Sequence, residues 1–164
     1  VSDGVSDGVR EQASEQMGDT AAVRASDEIR AWLASFPSRG LFGTLGITIT
    51  DAEPGRVVAT MPVGPPVHQP YGLLHGGASV ALAETVASIA GSLNLDRARE
   101  MAVGLEINAN HVRPVRSGVI TAVGTPLHLG RSTHVWDVRI TDERNRLVCV
   151  SRCTLAVVPL QRPD

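Results

Sequence analysis

His68-Gln69-Pro70-Tyr71-Gly72-Leu73-Leu74-His75-Gly76-Gly77-Ala78, running on to Ser92, is the stretch around which this chain is organised. Its first part is rich in Pro and Gly and predicts an irregular segment rather than a regular element. From Gly76 onward the chain reads Ala78, Val80, Ala81, Leu82, Ala83, Val86, Ala87, Ile89, Ala90. That is a helix apolar nearly all round, which predicts burial. One ionisable residue, Glu84, interrupts it. A carboxylate in a buried helix is costly unless paired. Ser88, four residues on and on the same face, is positioned to hydrogen-bond it. The bland alternative is a helix less buried than its pattern suggests, with Glu84 at the surface. The helix start adds a second signal. Gly76 and Gly77 let backbone or ligand approach closely, and the first-turn N–H groups have no partner inside the helix. Such an end binds anions, or a carbonyl becoming an oxyanion. A buried carboxylate and an oxyanion hole are two parts of an acyl-transfer site.

The chain has 164 residues, which suits one domain with a sizeable core. Hydrophobic residues are 43% and charged residues 20%, an ordinary globular balance. A net charge of −2 carries no nucleic-acid footprint. Aromatics are only 3%, so Val, Leu, Ile and Ala must pack the core. No apolar run reaches membrane-spanning length, which predicts no membrane partner. The N-terminus shows no basic-then-apolar pattern, so a cytoplasmic location is expected. Cys149 and Cys153 fall in one predicted strand, about 13 Å apart and too far for a mutual disulfide. They read as small buried apolar residues in a reducing compartment.

Residues 1–24 are polar and small, and Val1-Ser2-Asp3-Gly4 repeats as Val5-Ser6-Asp7-Gly8, which predicts a mobile tail. A single domain over 25–160 follows. Ser26 is an N-cap candidate with Asp27 and Glu28 in the first turn. Ile29, Trp32, Leu33 and Phe36 have helical spacing, and Pro37 should end that helix. Thr44 to Thr50 and Arg56 to Val63 read as strands joined at Glu53-Pro54-Gly55. After the central helix, four more strand-like runs follow. They are Met101 to Val112, Gly118 to Leu129, Thr133 to Thr141 and Leu147 to Val158, with turns at Arg116-Ser117-Gly118 and Asp142-Glu143-Arg144-Asn145. One buried helix with about six strands is an α+β layer, most simply an antiparallel sheet curled around the helix. The long run from Met101 can pair edge to edge with a second copy.

The run from His68 to Ser79, continued by Ala81-Leu82-Ala83-Glu84-Thr85, resembles the hotdog-fold acyl-CoA thioesterases. The similar branch holds the phenylacetate-pathway thioesterase, the enterobactin proofreading thioesterase and the 4-hydroxybenzoyl-CoA thioesterase with a Glu nucleophile. The resemblance covers about Gly43 to Val158 and includes His111-Val112-Arg113-Pro114 and Leu127-His128-Leu129-Gly130-Arg131. It implies a hotdog fold, with the antiparallel sheet wrapped around the long central helix. It also implies hydrolysis of small aryl or phenylacetyl-type thioesters, carried on coenzyme A or on acyl-carrier protein, to free acid and thiol. Coenzyme A is then part of the substrate, and neither a cofactor nor a metal is expected. Glu84 is implied as nucleophile or general base, and Gly76 as the oxyanion donor. Gln69 and His75 match positions flanking the thioester, and Ser88 that of a helper hydroxyl. For His75 the alternative is a structural cap on the loop; for Ser88 it is a hydroxyl bonded to its own helix. His111, Arg113 and Arg131 match positions near the nucleotide or pantetheine arm, and Ser132 completes a turn with free backbone N–H groups.

Geometry asks for two copies. Gly76 and Glu84 are eight residues apart, about 12 Å along one helix, and a reacting carbonyl needs both within roughly 3 Å. Two antiparallel helices from two subunits can supply them, so a homodimer with shared sites is expected, assembled further into a homotetramer of undetermined geometry. Other functions compete with this one. A hydratase or dehydratase of the same fold resembles an Asp–His pattern that the Glu84 helix lacks. A non-catalytic acyl-CoA-binding module would bind without releasing thiol. The loop match also leaves 1,4-dihydroxy-2-naphthoyl-CoA as a candidate substrate. The five histidines show no zinc spacing, and no Gly-x-Ser-x-Gly elbow or phosphate-binding fingerprint is present.

Overall fold

The computed structural model of the chain describes residues 23–36 and 40–160. Most of the expected tail, 1–22, lies outside them, as does Pro37. Val23 and Arg24, placed in that tail by the sequence reading, belong to the domain. Val23 is buried, and Arg24 bridges Asp51 in parallel register.

Helix α1 spans Asp27–Ala34, with Ser26 as N-cap accepting from the Ile29 N–H at 3.3 Å. It buries Ile29 and Leu33 and stops before Phe36. A four-residue helix α2 (Leu41–Thr44) follows, then β1 (Thr48–Glu53) and β2 (Arg56–Val63). The first strand was expected over Thr44 to Thr50. Thr44 is instead the end of α2, its N–H and hydroxyl both donating to the Gly40 carbonyl. Gly46, with φ +64, then redirects the chain into the strand. A short 3₁₀ turn (Pro65–Val67) leads to β3 (His68–Gln69) and β4 (Leu73–Leu74). These two form a miniature hairpin, closed by the Gly72 N–H donating to the Gln69 carbonyl at 3.0 Å. The segment expected to be irregular therefore holds a little regular structure. It is pinned by His75 N–H to Val67 O and Leu74 N–H to Val115 O, both 2.8 Å.

Helix α3 runs Gly76–Ser92, as the sequence predicts. Strands β5 (Glu100–His111), β6 (Gly118–Leu129), β7 (Thr133–Thr141) and β8 (Leu147–Pro159) complete the fold. Six strands form one antiparallel sheet in the order β1-β2-β6-β7-β8-β5. Helix α3 crosses its inner face. Leu82, Ala83, Val86, Ala87 and Ala90 are fully buried against inward residues such as Met61, Ile120, Trp136, Ile140 and Leu155. Those inward residues alternate along each strand, the pattern of a sheet with one covered face. Small residues bring helix and sheet close. A Cβ on Gly124 would meet Val86 at 2.6 Å, and one on Gly91 would meet Leu155 at 2.5 Å. Cys149 and Cys153 are buried and unbridged.

The β7–β8 turn is shaped by Asp142, whose carboxylate accepts from the Arg144 and Arg146 N–H groups and from the Arg146 guanidinium. These bonds hold the Asp142 carboxyl down at about 2, the Arg146 side chain contributing most. Asn145, with φ 58, closes the turn.

Candidate active site

The all-round burial expected of α3 is not what the fold gives. Ala78, Ser79, Leu82, Ala83, Val86, Ala87, Ile89 and Ala90 are buried, whereas Val80, Ala81, Thr85, Ser88 and Ser92 are half-buried and Glu84 is exposed. Sheet covers one side of the helix, and Glu84 stands at the margin of that cover, its carboxylate beside edge strand β5. The apolar pattern misled because Ala, Val and Thr serve equally on a covered face and on an open one. The Ser88–Glu84 hydrogen bond is also absent among the described residues. Helix carbonyls are taken instead by Thr85, to Ala81 O at 2.7 Å, and by Ser92, to Ser88 O at 2.9 Å.

Glu84 and Ser88 line a groove of about 500 Å³. Its opposite wall is Trp32, Phe36, Leu41 and Phe42, from α1, α2 and their flanks. Trp32 is held on two sides: Phe36 meets it edge-on at 4.7 Å between ring centres, and the Arg97 guanidinium lies 5.0 Å above its ring. Arg97 also pairs with Glu28 at 2.7 Å. Sequence reading took α1 to pack an apolar stripe on the domain and missed this wall. No local pattern links Trp32 to Glu84. On β5, the Glu84 carboxylate lies against Gly104, 2.7 Å from where a Cβ would stand. Its charge is felt by buried Cys153, whose thiol is pushed up to about 11 by burial first, and then by Glu84 and Glu106.

A second groove of about 370 Å³ gathers Gln69, Gly76, Ser79, His111 and Arg113. Gly76 is the first residue of α3, and its N–H finds no acceptor among the described residues. His75 is the N-cap, its Nδ1 accepting from the Gly77 N–H at 2.8 Å. The proton of a neutral His75 therefore sits on Nε2. The His111 ring lies over Gly76, where an added Cβ would be 2.8 Å from Nε2. Gln69 Oε1 accepts from the Tyr71 N–H at 2.7 Å. The Arg113 guanidinium donates to Leu147 O at 3.2 Å.

Arg131 and Ser132 are exposed at the β6–β7 turn. They do not join Arg113. Along β8, His111 is opposite Cys149 while Thr133 is opposite Ala156, which puts the two basic positions at opposite ends of one strand. The turn is also less free than expected, since the Gly130 N–H donates to Thr133 O at 2.9 Å. Among the described residues no three His, Cys, Asp or Glu side chains gather in a way that would hold a metal ion.

One chain thus carries two separate grooves, an amide-ended one at the start of α3 and a carboxylate one midway along it. This fold and this helix are those of the thioesterase superfamily, whose family model matches residues 71–149. The 1,4-dihydroxy-2-naphthoyl-CoA hydrolase of Escherichia coli is 48% identical over 118 residues, covering 72% of this chain and 86% of that one. A proofreading thioesterase of Klebsiella pneumoniae is 48% identical over 114 residues, covering 70% and 82%. Among solved structures, a mutant thioesterase from Pseudomonas aeruginosa superposes with a TM-score of 0.77 at 44% identity, covering 85% of this chain and 99% of that one. A thioesterase from Haemophilus influenzae gives 0.75 at 48% identity, covering 86% and 96%. The chain belongs to the thioesterase superfamily and has its hotdog fold. It is an enzyme, a thioesterase. No described helix is long and apolar enough to cross a membrane.

Proposed function

We propose that the chain hydrolyses small aryl-type acyl-CoA thioesters in sites shared between two copies, with Glu84 of one copy facing the Gly76 N–H of the other. The observation that carries this reading is the division of the site residues. Gln69, Gly76 and His111 lie in one groove, and Glu84 with Ser88 in another. The groove that holds the Gly76 N–H has no carboxylate in its lining, and the groove that holds Glu84 lacks that N–H.

A second copy supplies the missing half. Strand β5 is an edge strand of twelve residues whose Met101, Val103 and Leu105 are exposed. Such an edge invites pairing. Twofold pairing there would run the two α3 helices antiparallel, bringing each Gly76 toward the other copy's Glu84. The thioester oxygen then accepts from the Gly76 N–H as charge builds on it. Glu84 either attacks the carbonyl or takes a proton from the water that does. The carbon–sulfur bond breaks and the thiolate leaves and is protonated; where Glu84 has attacked, a water then cleaves the acyl–Glu84 anhydride, and on either route the free acid is released.

The acyl preference rests on the groove wall. The chain has five aromatic residues, and Trp32, Phe36 and Phe42 are gathered beside Glu84. Aromatic faces suit a flat ring by offset or edge-on stacking. The relatives named for 1,4-dihydroxy-2-naphthoyl-CoA make that bicyclic ester a second candidate, and the same wall fits it. Arg113 and Arg131, one at each end of β8, are the residues to meet carrier phosphates or an acidic carrier protein.

The test is thiol release from a panel of benzoyl-, phenylacetyl-, 1,4-dihydroxy-2-naphthoyl- and aliphatic CoA esters. Aryl esters should be cleaved fastest, and Glu84→Gln should lose about 10³-fold or more in kcat while remaining folded. Tight binding without turnover across the panel would favour the non-catalytic module instead.

A further inference from the structure

We propose that Gly104, with the bulge that follows it in β5, is the positioning element for the Glu84 carboxylate. The proposal rests on Glu84 being the reacting carboxylate, as argued above. Strand β5 follows β8 residue for residue except at one point. Its register shifts between Gly104 and Glu106, leaving Leu105 with no opposite number. A bulge on an edge strand re-aims the backbone locally and is often found beside an active site.

Glycine at that point needs its own reason. In a strand interior it is about 0.5–1 kcal/mol less favourable than alanine. Its φ is not in the left-handed region, so backbone freedom is not what requires it. What requires it is space. A Cβ on Gly104 would meet Glu84 Oε1 at 2.7 Å and Glu84 Cδ at 3.8 Å, and nothing else within 4 Å. At two other glycines the missing side chain makes room for core packing: at Gly91 the added carbon would strike Leu155, and at Gly124 it would strike Val86. At Gly104 it would strike only the far end of an exposed, flexible side chain. The fold can absorb the methyl by swinging the carboxylate away. The reaction cannot, because a displacement of about 1 Å at a reacting group costs on the order of 100-fold.

Gly104→Ala should therefore fold and assemble as the parent does, and lose about 100-fold in kcat with KM changed by no more than about threefold. The decisive comparison is a double-mutant cycle with Glu84→Asp, whose shorter side chain withdraws from the added methyl. Glu84→Asp alone will be slow. Adding Gly104→Ala to it should cost nothing further. The readout is kcat on the fastest CoA ester of the panel, with size-exclusion and thermal melting as controls.

An unchanged kcat in Gly104→Ala overturns the proposal. So does an equal penalty in the Glu84 and Asp backgrounds, which would mean that the methyl acts on the strand and not on the carboxylate. Should Gly104→Ala fail to fold, the same double variant decides: folding restored by Glu84→Asp supports the contact, and failure in both backgrounds overturns it. The underlying reading fails separately, if Glu84→Gln keeps the parent rate.

Discussion

If one copy supplies the Gly76 N–H and the other the Glu84 carboxylate, two inactive variants must regain turnover when mixed. The first variant is Glu84→Gln, which keeps the amide groove and loses the carboxylate. The second is Gly76→Pro, which deletes the N–H donor and leaves Glu84 in place. Proline suits this position. It is the first residue of α3, where a missing N–H breaks no helical bond. His75 before it has φ −70 and ψ 130, the extended conformation that precedes proline without strain. The ring would crowd His111, since an added Cβ lies 2.8 Å from its Nε2, but His111 is exposed and can move. Any loss from that movement falls in the half-site already disabled. Removing one oxyanion donor should cost roughly 10²- to 10³-fold in kcat.

Random reassociation of equal amounts gives about half mixed dimers, each with one intact site of two, so about one quarter of the parent activity should return. Dimers isolated through two different tags should reach about half the parent rate per dimer by the same count. Thiol release after co-refolding, set against each variant refolded alone, is the measurement. A mixture no more active than the mean of its components would refute the shared site. A site built within one chain would leave every chain in the mixture defective.

Two further expectations concern buried titrating groups. His134 on β7 is 3% exposed, with Nδ1 lacking a partner among the described residues. Burial, and secondarily His128, hold its pKa below the usual 6.5, against a weaker pull from Gly130 and Glu100. Unfolding therefore takes up a proton, so stability contributed by neutral His134 is full above about pH 6.5 and falls as pH drops through its folded value. His134→Leu should flatten the acid limb of a denaturant-midpoint profile; an unchanged limb counts against this. Cys153 behaves oppositely. Its thiol is raised from 9.0 to about 11, so stability should hold below pH 9 and decline between about 9 and 11. Cys153→Ala should reduce that decline, leaving the part due to Cys149, whose thiol burial also raises, and a thiol reagent at pH 8 should label the parent's buried cysteines only after unfolding.

How much of this was legible in the sequence follows from the range of each cause. Helix α3 was bounded correctly because its start is local: two glycines after a capping histidine, then an apolar run. Strands β2, β6 and β7 matched because a sheet covered on one face writes alternation into the chain. Strand β1 was displaced because Leu41–Thr44 is too short for a helical period to show. The open face of α3 escaped for a deeper reason. Whether Ala81 or Thr85 meets sheet, solvent or another copy depends on chain brought from elsewhere, and small residues accept all three. The same holds for the groove wall, where Trp32 reaches Glu84 across more than fifty residues of sequence. Composition carried a clue that spacing did not. With so few aromatics, a core of Val, Leu, Ile and Ala was foreseen, and apart from Trp136 the fully buried large side chains are aliphatic, Met or Cys. Trp32 and Phe42 pack partly against the core, and together with exposed Phe36 they also line the groove. Three of the five stand together beside the one carboxylate of α3, and the proposed preference for a flat acyl group rests on that placement more than on any motif.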